Sequence, residues 1–327
     1  MTHTHEGLTL RLARLAVIPA LLALPVFATA ASGKAPKPQQ TFASPEEAAQ
    51  MFVAALKAGD KKAMLDMLGP EAGDLIDSGD PVADRASWDK FVAQYEEVHT
   101  FVKKDDGTIL EIGKDQWPSP IPLVERDGRW RFDTAAGEEE IIDRRIGRNE
   151  LSVMQVLLAY VDAQYEYQQR NPQKAKIAPY AKTIASTAGK QDGLYWQTKE
   201  GEPESPFGEE VARARGAGYG QGGKWKGAPF HGYYYRVLTG QGPDARDGAY
   251  DYMVRGQMIG GFGMVAFPAD WDNSGVMTFI VNHDGVIYEK DLGPDTEKIA
   301  RAMKEFNPDP TWKEVTPASA DAIAKPE

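Results

Sequence analysis

Residues 262–288, FGMVAFPADWDNSGVMTFIVNHDGVIY, decide the fold of the C-terminal half of this chain of 327 residues. Three apolar runs alternate in this stretch with two clusters of turn-forming residues. Short turns of this kind join consecutive strands into antiparallel pairs. We therefore predict an antiparallel meander. Its five expected strands span residues 233–238, 250–254, 262–267, 276–281 and 286–288.

A long helical pattern over residues 138–169 precedes this meander, and Gly147 lies within the pattern. The half after the glycine repeats apolar residues at helical spacing from Leu151 to Tyr165, so we expect one face of it to pack on the meander. A glycine inside a helix is consistent with a bend and equally with close packing, and we place a domain boundary there. A last helix is predicted over residues 295–306, before a polar tail.

Three helix starts and one hairpin organise the N-terminal half. Ser44-Pro45, Asp60 and Asp80-Pro81 each combine a capping side chain with a following helical pattern. The third pattern continues through Val98, which places His99 on an otherwise apolar helix. Further on, Asp127-Gly128 between two apolar runs predicts a β-hairpin.

These patterns predict an α+β protein with a signal peptide and two domains. The N-terminal domain combines cone-like helices with a small antiparallel sheet, and the C-terminal domain packs a long helix on an antiparallel meander. The predicted segments are a signal peptide at 1–30, a flexible leader at 31–41, domains at 42–146 and 147–315, and a polar tail at 316–327.

The first thirty residues have the pattern of an export signal. Arg11 and Arg14 precede an apolar segment of about a dozen residues, and Ala28-Thr29-Ala30 fits the small-x-small pattern of a cleavage site. Because a bilayer span needs about twenty apolar residues, we expect cleavage near Ala30 and no stable membrane anchor. The sequence therefore predicts a periplasmic or secreted bacterial protein.

The amino-acid composition limits the classes of partner that the chain is expected to bind. The chain carries 37 basic and 48 acidic residues, for a formal charge of −11. Nucleic acids and anionic lipids are disfavoured because both attract clustered Lys and Arg. The chain has no cysteine, which leaves no disulfide and no acylated lipoprotein cysteine.

No catalytic, metal or cofactor site is predicted. His99, His231 and His283 are far apart in the sequence, and a three-histidine zinc site would need all of them. Ser274 lies in a turn signal without the G-x-S-x-G pattern of a nucleophile. The glycine-rich segment Gly216–Gly227 lacks the pattern of a phosphate-binding loop.

Two functional hypotheses remain open. In the first, the protein is an exported binding or assembly protein of the bacterial envelope, and aromatic side chains of the sheet contact a partner protein. The candidate partner surface comprises Tyr233, Tyr235, Tyr250, Tyr252 and His231.

In the second hypothesis, the protein is a small-molecule enzyme or carrier with an apolar pocket in the N-terminal domain. His99 would be the general base if the pocket were catalytic. The candidate pocket residues are Trp88, Tyr95, His99, Trp117 and Trp130.

Several long motifs carry a family resemblance. They are SPEEAAQMFVAALKAGD at 44–60, DLIDSGDPVADR at 74–85, WPSPIPLVERDGRWRFDTAAGEEEIIDRRIGRNEL at 117–151, HGYYYRVLTGQGP at 231–243 and the run from Met258 to Thr296. The chain resembles the bacterial family of unknown function catalogued as domain of unknown function 2950. That resemblance implies bacterial origin and export, but no activity and no site residues. At the level of pattern, residues 42–135 resemble the nuclear-transport-factor-two superfamily, and the C-terminal part resembles pilin-like heads.

Overall fold

The structure, a computed structural model, describes residues 38–104, 107–219 and 228–315. The predicted signal peptide, most of the leader, most of the glycine-rich segment and the polar tail lie outside these residues. Helices and mainly antiparallel sheets occur together, which confirms the predicted α+β class. Among the described residues, no helix is both long and apolar enough to cross a membrane.

Four helices begin the fold. Their bounds are α1 Pro45–Ala58, α2 Lys61–Leu68, α3 Gly73–Ile76 and α4 Pro81–Glu97. The predicted caps are confirmed: the side chains of Ser44, Asp60 and Asp80 accept hydrogen bonds from backbone amides in the first turns of α1, α2 and α4. The short α3 was not predicted, because four residues are too few for a helical repeat.

The predicted extension of the third helix to His99 is wrong. Helix α4 ends at Glu97, Val98 is extended, and His99 begins the strand β1, His99–Lys104. The β-branched residues Val98, Thr100 and Val102 favour extended backbone. Pairing with the next strand supplies the hydrogen bonds that further helical turns would otherwise make.

The first sheet has five strands. They are β1, β2 Gly107–Ile112, β3 Trp117–Pro118, β4 Leu123–Arg126 and β5 Arg129–Phe132. The main order is β1-β2-β4-β5, and β3 pairs with β2. The predicted hairpin is confirmed: Asp127 and Gly128 both have positive φ, 52° and 73°, as a two-residue hairpin turn requires.

The long helix α5 spans Glu138–Arg170 and is continuous through Gly147. Its first turns contribute Ile141 to the core of the N-terminal helices, whereas Val153, Leu157 and Tyr160 belong to the core of the second sheet. The predicted boundary therefore falls inside a helix that both cores share. The division into domains at 42–146 and 147–315 stays a prediction.

The second sheet lies between α5 and a short C-terminal helix. Its strands are β6 Tyr233–Leu238, β11 Gly263–Pro268, β12 Met277–Asn282, β13 Ile287–Asp291 and β15 Lys313–Glu314, in the order β15-β13-β12-β11-β6. Side chains alternate along β11: Met264 and Ala266 join the core with α5, while Val265 and Phe267 join the core with the helix α7, Thr296–Ala302. The remaining elements are α6 Gly208–Gly216, β7 Gly240–Gln241, β8 Tyr250–Asp251, β9 Met253–Val254, β10 Gln257–Met258 and β14 Glu305–Phe306.

Two predicted elements of this half differ from the structure. Residues 250–254 do not join the meander, because the Met253 amide donates to Asp251 Oδ1 at 2.7 Å and turns the chain. This segment divides between β8, paired with β7, and β9, paired with β10. The last helix ends at Ala302 instead of Phe306, and Phe306 pairs in β14 with β7. The meander of β11, β12 and β13 is confirmed.

Candidate functional site

The predicted partner surface contains two tyrosines that have no exposed area. Tyr233 and Tyr252 are fully buried in the core between α5 and the second sheet. The Tyr233 hydroxyl donates to the Met277 carbonyl at 3.0 Å, and the Tyr252 hydroxyl donates to Gln241 Oε1 at 3.0 Å. These two residues therefore stabilise the fold and present no surface to a partner.

The other three members of that set lie in two neighbourhoods. The Tyr235 hydroxyl donates to the Phe230 carbonyl at 3.3 Å, beside His231. Tyr250 instead lies beside His283, with its hydroxyl 3.2 Å from His283 Nε2. All three of Tyr235, Tyr250 and His231 are half-buried.

The predicted pocket residues divide in a similar way. Trp88 and Trp117 line one apolar cavity. Tyr95 and His99 do not line it: their rings stack at a centroid distance of 3.9 Å, and His99 is exposed. Trp130 lies on β5, where it pairs with Phe42 at the edge of the first sheet.

The apolar cavity lies between the N-terminal helices and the beginning of α5, and its volume is about 230 Å³. A dry protein cavity of about 150 Å³ is known to admit benzene, so this space suits a phenyl ring with a short chain. Its apolar lining includes Phe52, Leu56, Met64, Trp88, Phe91 and Trp117.

Three arginines of α5 border this cavity, and they differ in their partners. Arg144 pairs with Glu140 and lies over the Trp117 ring, 5.3 Å from its centroid. Arg145 donates to the carbonyls of Asp74 at 2.7 Å and Leu75 at 2.8 Å, and also to Asn273. These bonds fix the segment after α2 to α5, so Arg145 is a structural residue.

Arg148, the third arginine, has no carboxylate partner among the residues that the structure describes. Its pKa is lowered by burial of the guanidinium and then by the positive charge of Arg144. A guanidinium stays protonated despite such shifts. Arg148 is an exposed residue, and it brings to the border of an apolar space a positive charge whose side-chain donors have no partner in the described part of the chain.

Asp84 on α4 lies at the same border and is 6% exposed. The Ser78 hydroxyl donates to Asp84 Oδ1 at 2.6 Å, and the Ser78 amide is 3.3 Å from both carboxylate oxygens. Burial raises the pKa of Asp84, although Ser78, Arg145 and Lys61 lower it by smaller amounts. No ion pair joins this carboxylate to another described residue.

A second cavity of about 250 Å³ borders the same charges. We call it the polar cavity because its lining is more polar than that of the first, although Val82, Ala83, Ala86 and Ala217 also line it. It is lined by Ser78, Asn149, Ser152, Tyr219 and His231. Four residues line both cavities: Asp84, Ser87, Arg145 and Arg148. The two spaces therefore meet at a charged border, with an apolar side and a polar side.

A buried hydrogen-bond network positions the polar side. Asp80 Oδ2 accepts from the Tyr219 hydroxyl at 2.7 Å and from the Gly232 amide at 2.9 Å. The pKa of Tyr219 is raised by burial and by Asp80. His231 has a φ of 52°, and burial lowers the pKa of its ring, so that the neutral form is favoured near pH 7. A neutral imidazole both donates and accepts hydrogen bonds.

Residues considered for chemistry in the sequence have structural partners. The Ser274 hydroxyl donates to the Gly232 carbonyl at 2.9 Å and accepts from the Asp270 amide, in a fully buried turn. His99, His231 and His283 lie in three different neighbourhoods. Within residues 38–104, 107–219 and 228–315, no group of three or more His, Asp or Glu side chains is arranged to hold a metal.

The sequence predicted Trp88 and Trp117 as pocket residues and His231 as part of a partner surface, and it indicated neither Asp84 nor Arg148. Asp84 lies four residues after Asp80, in the first turns of the predicted helix that starts at Asp80-Pro81. Arg148 is the last residue of the charged segment Asp143–Arg148. Helical spacing places each of them one or two turns from an apolar cavity residue. That spacing indicates which residues share a helix face, but it does not indicate which helices face each other in the fold.

Comparison with known proteins places the chain in a family. Residues 39–315 match the model of the family described as protein of unknown function (DUF2950), and the chain belongs to this family. No curated protein and no solved structure matches the chain. The likenesses to the nuclear-transport-factor-two superfamily and to pilin-like heads therefore stay predictions.

Proposed function

We propose that this protein is an exported binding protein for a small organic anion with an apolar body. The observation that carries the proposal is the position of Arg148, which has no carboxylate partner in the described part of the chain, at the border of the apolar cavity. The body of the ligand occupies the space beside Trp88 and Trp117, and its anionic group accepts hydrogen bonds from Arg148.

Physical chemistry supports this assignment in two respects. An arginine binds carboxylate groups strongly, because its planar donors match two oxygens and a guanidinium is more weakly hydrated than an ammonium group. The volume and lining of the cavity favour a flat or compact apolar group. The protein as a whole is anionic, so attraction of the ligand depends on this local charge and not on the overall field.

Binding is favoured over catalysis because two of the residues considered for catalysis, Ser274 and His99, have structural roles. The Ser274 hydroxyl is held by the turn, and the His99 ring is stacked on Tyr95 away from the cavity. Export to the periplasm or the medium rests on the N-terminal pattern around Arg11 and Ala30. N-terminal sequencing of the mature protein tests the predicted export and signal-peptide cleavage, with Ala31 as the expected first residue.

The ligand class is tested by calorimetric titration of the purified protein with phenylpropionate and with its neutral amide. We expect the carboxylate to bind at least about tenfold more tightly, since a charge-assisted hydrogen bond contributes on the order of 1.5–3 kcal/mol. Arg148→Gln should remove the difference between the two compounds.

Arg126→Gln is the matched control, because Arg126 is an exposed residue at the end of β4 that lines neither cavity. It should leave both affinities unchanged. Equal binding of acid and amide by the wild-type protein would contradict the proposal, as would an Arg148→Gln variant that keeps the preference.

A further inference from the structure

The anion site does not use Asp84, and this buried carboxylate shares the border of both cavities with Arg148. We propose that the two residues together bind a zwitterion: a free α-amino acid with a bulky apolar side chain. Its ammonium group lies at Asp84, its carboxylate at Arg148, and its side chain in the apolar cavity. This inference rests on the proposed function and specifies its ligand.

The two helices that carry these charges have matching patterns. On α4, Asp84, Ser87, Trp88 and Phe91 follow the spacing i, i+3, i+4, i+7, and all four line the apolar cavity. On α5, Ile141, Arg144, Arg145 and Arg148 follow the same spacing and line it too. This spacing places each set on one face of its helix.

Each set of four residues forms a stripe along its helix, with a charged residue at one end and an apolar residue at the other. Asp84 begins the stripe of α4 and Arg148 ends the stripe of α5, and both line the polar cavity as well. Phe91 and Ile141, at the opposite ends, line only the apolar cavity. The charged ends therefore both lie at the border between the two cavities, and the apolar ends both lie away from the polar cavity. An amino acid has the same arrangement, with two opposite charges at one end and an apolar group at the other.

The hydrogen bonds of Asp84 leave room for an ammonium group. An ionised carboxylate has about four acceptor sites. Ser78 supplies one short bond at 2.6 Å and two long contacts at 3.3 Å from its amide. A buried carboxylate without an ion-pair partner is unfavourable, and a ligand cation offsets that cost.

Asp84 also distinguishes a zwitterion from a simple anion. An anion bound at Arg148 shares the border of the cavities with the Asp84 carboxylate, and like charges at a shared site repel each other. An ammonium group next to the ligand carboxylate converts this repulsion into attraction. The site therefore favours an amino acid over the corresponding acid without the amino group.

The test compares four ligands by calorimetry on the wild-type protein: L-phenylalanine, N-acetyl-L-phenylalanine, L-phenylalaninamide and phenylpropionate. We expect L-phenylalanine to bind most tightly, with each of the others at least about tenfold weaker, since each lacks one charge. Asp84→Asn, which keeps an acceptor for Ser78, should bind L-phenylalanine and its N-acetyl derivative equally. Asp162→Asn, at an exposed position of α5 outside both cavities, should keep the wild-type ranking.

The outcomes separate the two proposals. If phenylpropionate and N-acetyl-L-phenylalanine bind as tightly as L-phenylalanine, the zwitterion is wrong and the anion site is supported. If the amide binds as tightly as L-phenylalanine, Arg148 does not bind the carboxylate and both proposals are wrong. If none of the four compounds binds, both proposals are likewise overturned.

Discussion

The two large hydrophobic cores of this protein use aromatic side chains in opposite ways. Between α5 and the second sheet, Tyr160, Tyr233 and Phe279 have no exposed area, and their neighbours fill the space around them. Among the N-terminal helices, Trp88 and Trp117 are half-buried and border about 230 Å³ of empty space. Both regions are rich in aromatic residues, and those of the second border a cavity with room for a ligand.

The difference shows why the number of aromatic residues is a poor guide to a binding site. Tyr233 and Tyr252 attract attention in the sequence because tyrosine is common at interfaces, yet their hydroxyl groups have partners inside the core. What distinguishes the cavity is its charged border, formed by Asp84 and Arg148. Burying a carboxylate that forms no ion pair with another described residue costs stability, so the position of Asp84 beside an apolar space supports the proposed binding.

The largest expected effect comes from emptying the filled core. Phe279→Ala should lower the free energy of unfolding by about 3–5 kcal/mol, because it creates a cavity in a closely packed region. Phe91→Ala, which enlarges a space that already exists, should lower it by only about 1 kcal/mol. Urea denaturation of both variants measures the two values. Similar losses at the two sites would show that the cavity beside Phe91 is closed in solution.

A smaller effect of opposite sign is expected at Gly147, where the two cores share α5. A Cβ at this position would meet no atom within 4 Å, and the residue lies inside a continuous helix. Gly147→Ala should therefore raise the free energy of unfolding by about 0.5–1 kcal/mol.

Gly137→Ala is the contrasting variant, because its Cβ would lie 2.3 Å from the Pro120 carbonyl oxygen. That variant should be destabilised in the same urea denaturation. A loss of stability in Gly147→Ala would instead indicate that α5 bends in solution at the predicted boundary.

Much of the fold was predictable because local signals agreed with tertiary contacts. The caps at Ser44, Asp60 and Asp80, the Asp127-Gly128 hairpin and the strands of the meander each depend on neighbouring residues. The predictions were wrong where contacts outside the local sequence pattern determine the backbone conformation. Val98 and His99 leave the helical pattern to pair with β2, and the segment at Asp251 turns out of the meander.

The candidate site was predicted in part, for the same reason. Trp88 and Trp117 were found because an apolar pocket is lined by large aromatic residues. Asp84 and Arg148 read as ordinary surface charges on two amphipathic helices, 64 residues apart in the chain. Only the tertiary fold, which places α4 and the beginning of α5 around the same cavities, brings them to one border, and no pattern in a single sequence specifies that arrangement.

The smallest effect concerns Asp84 and the dependence of stability on pH. Folding raises the pKa of this carboxyl above its ordinary value of 3.8, mainly through burial, while the hydrogen bonds from Ser78 and, to a smaller extent, the positive charges of Arg145 and Lys61 oppose the shift. An acid with a raised pKa binds its proton more tightly in the folded state. The stabilisation of the fold by protonated Asp84 is therefore fully present at a pH below the ordinary pKa, and it is lost as the pH rises through the raised pKa of the folded state.

Asp84→Asn should accordingly gain stability relative to the wild-type protein as the pH rises from below 3.8 into the weakly acidic range. Urea denaturation at a series of pH values measures this difference, with Asp162→Asn as the exposed baseline. If the difference in stability between the two proteins stays constant over the pH series, Asp84 is solvated. A solvated carboxylate would not bind the ammonium group of the ligand as proposed. Stability and ligand selectivity at the charged border thus depend on the same burial, and a failure of the first would remove the physical basis of the second.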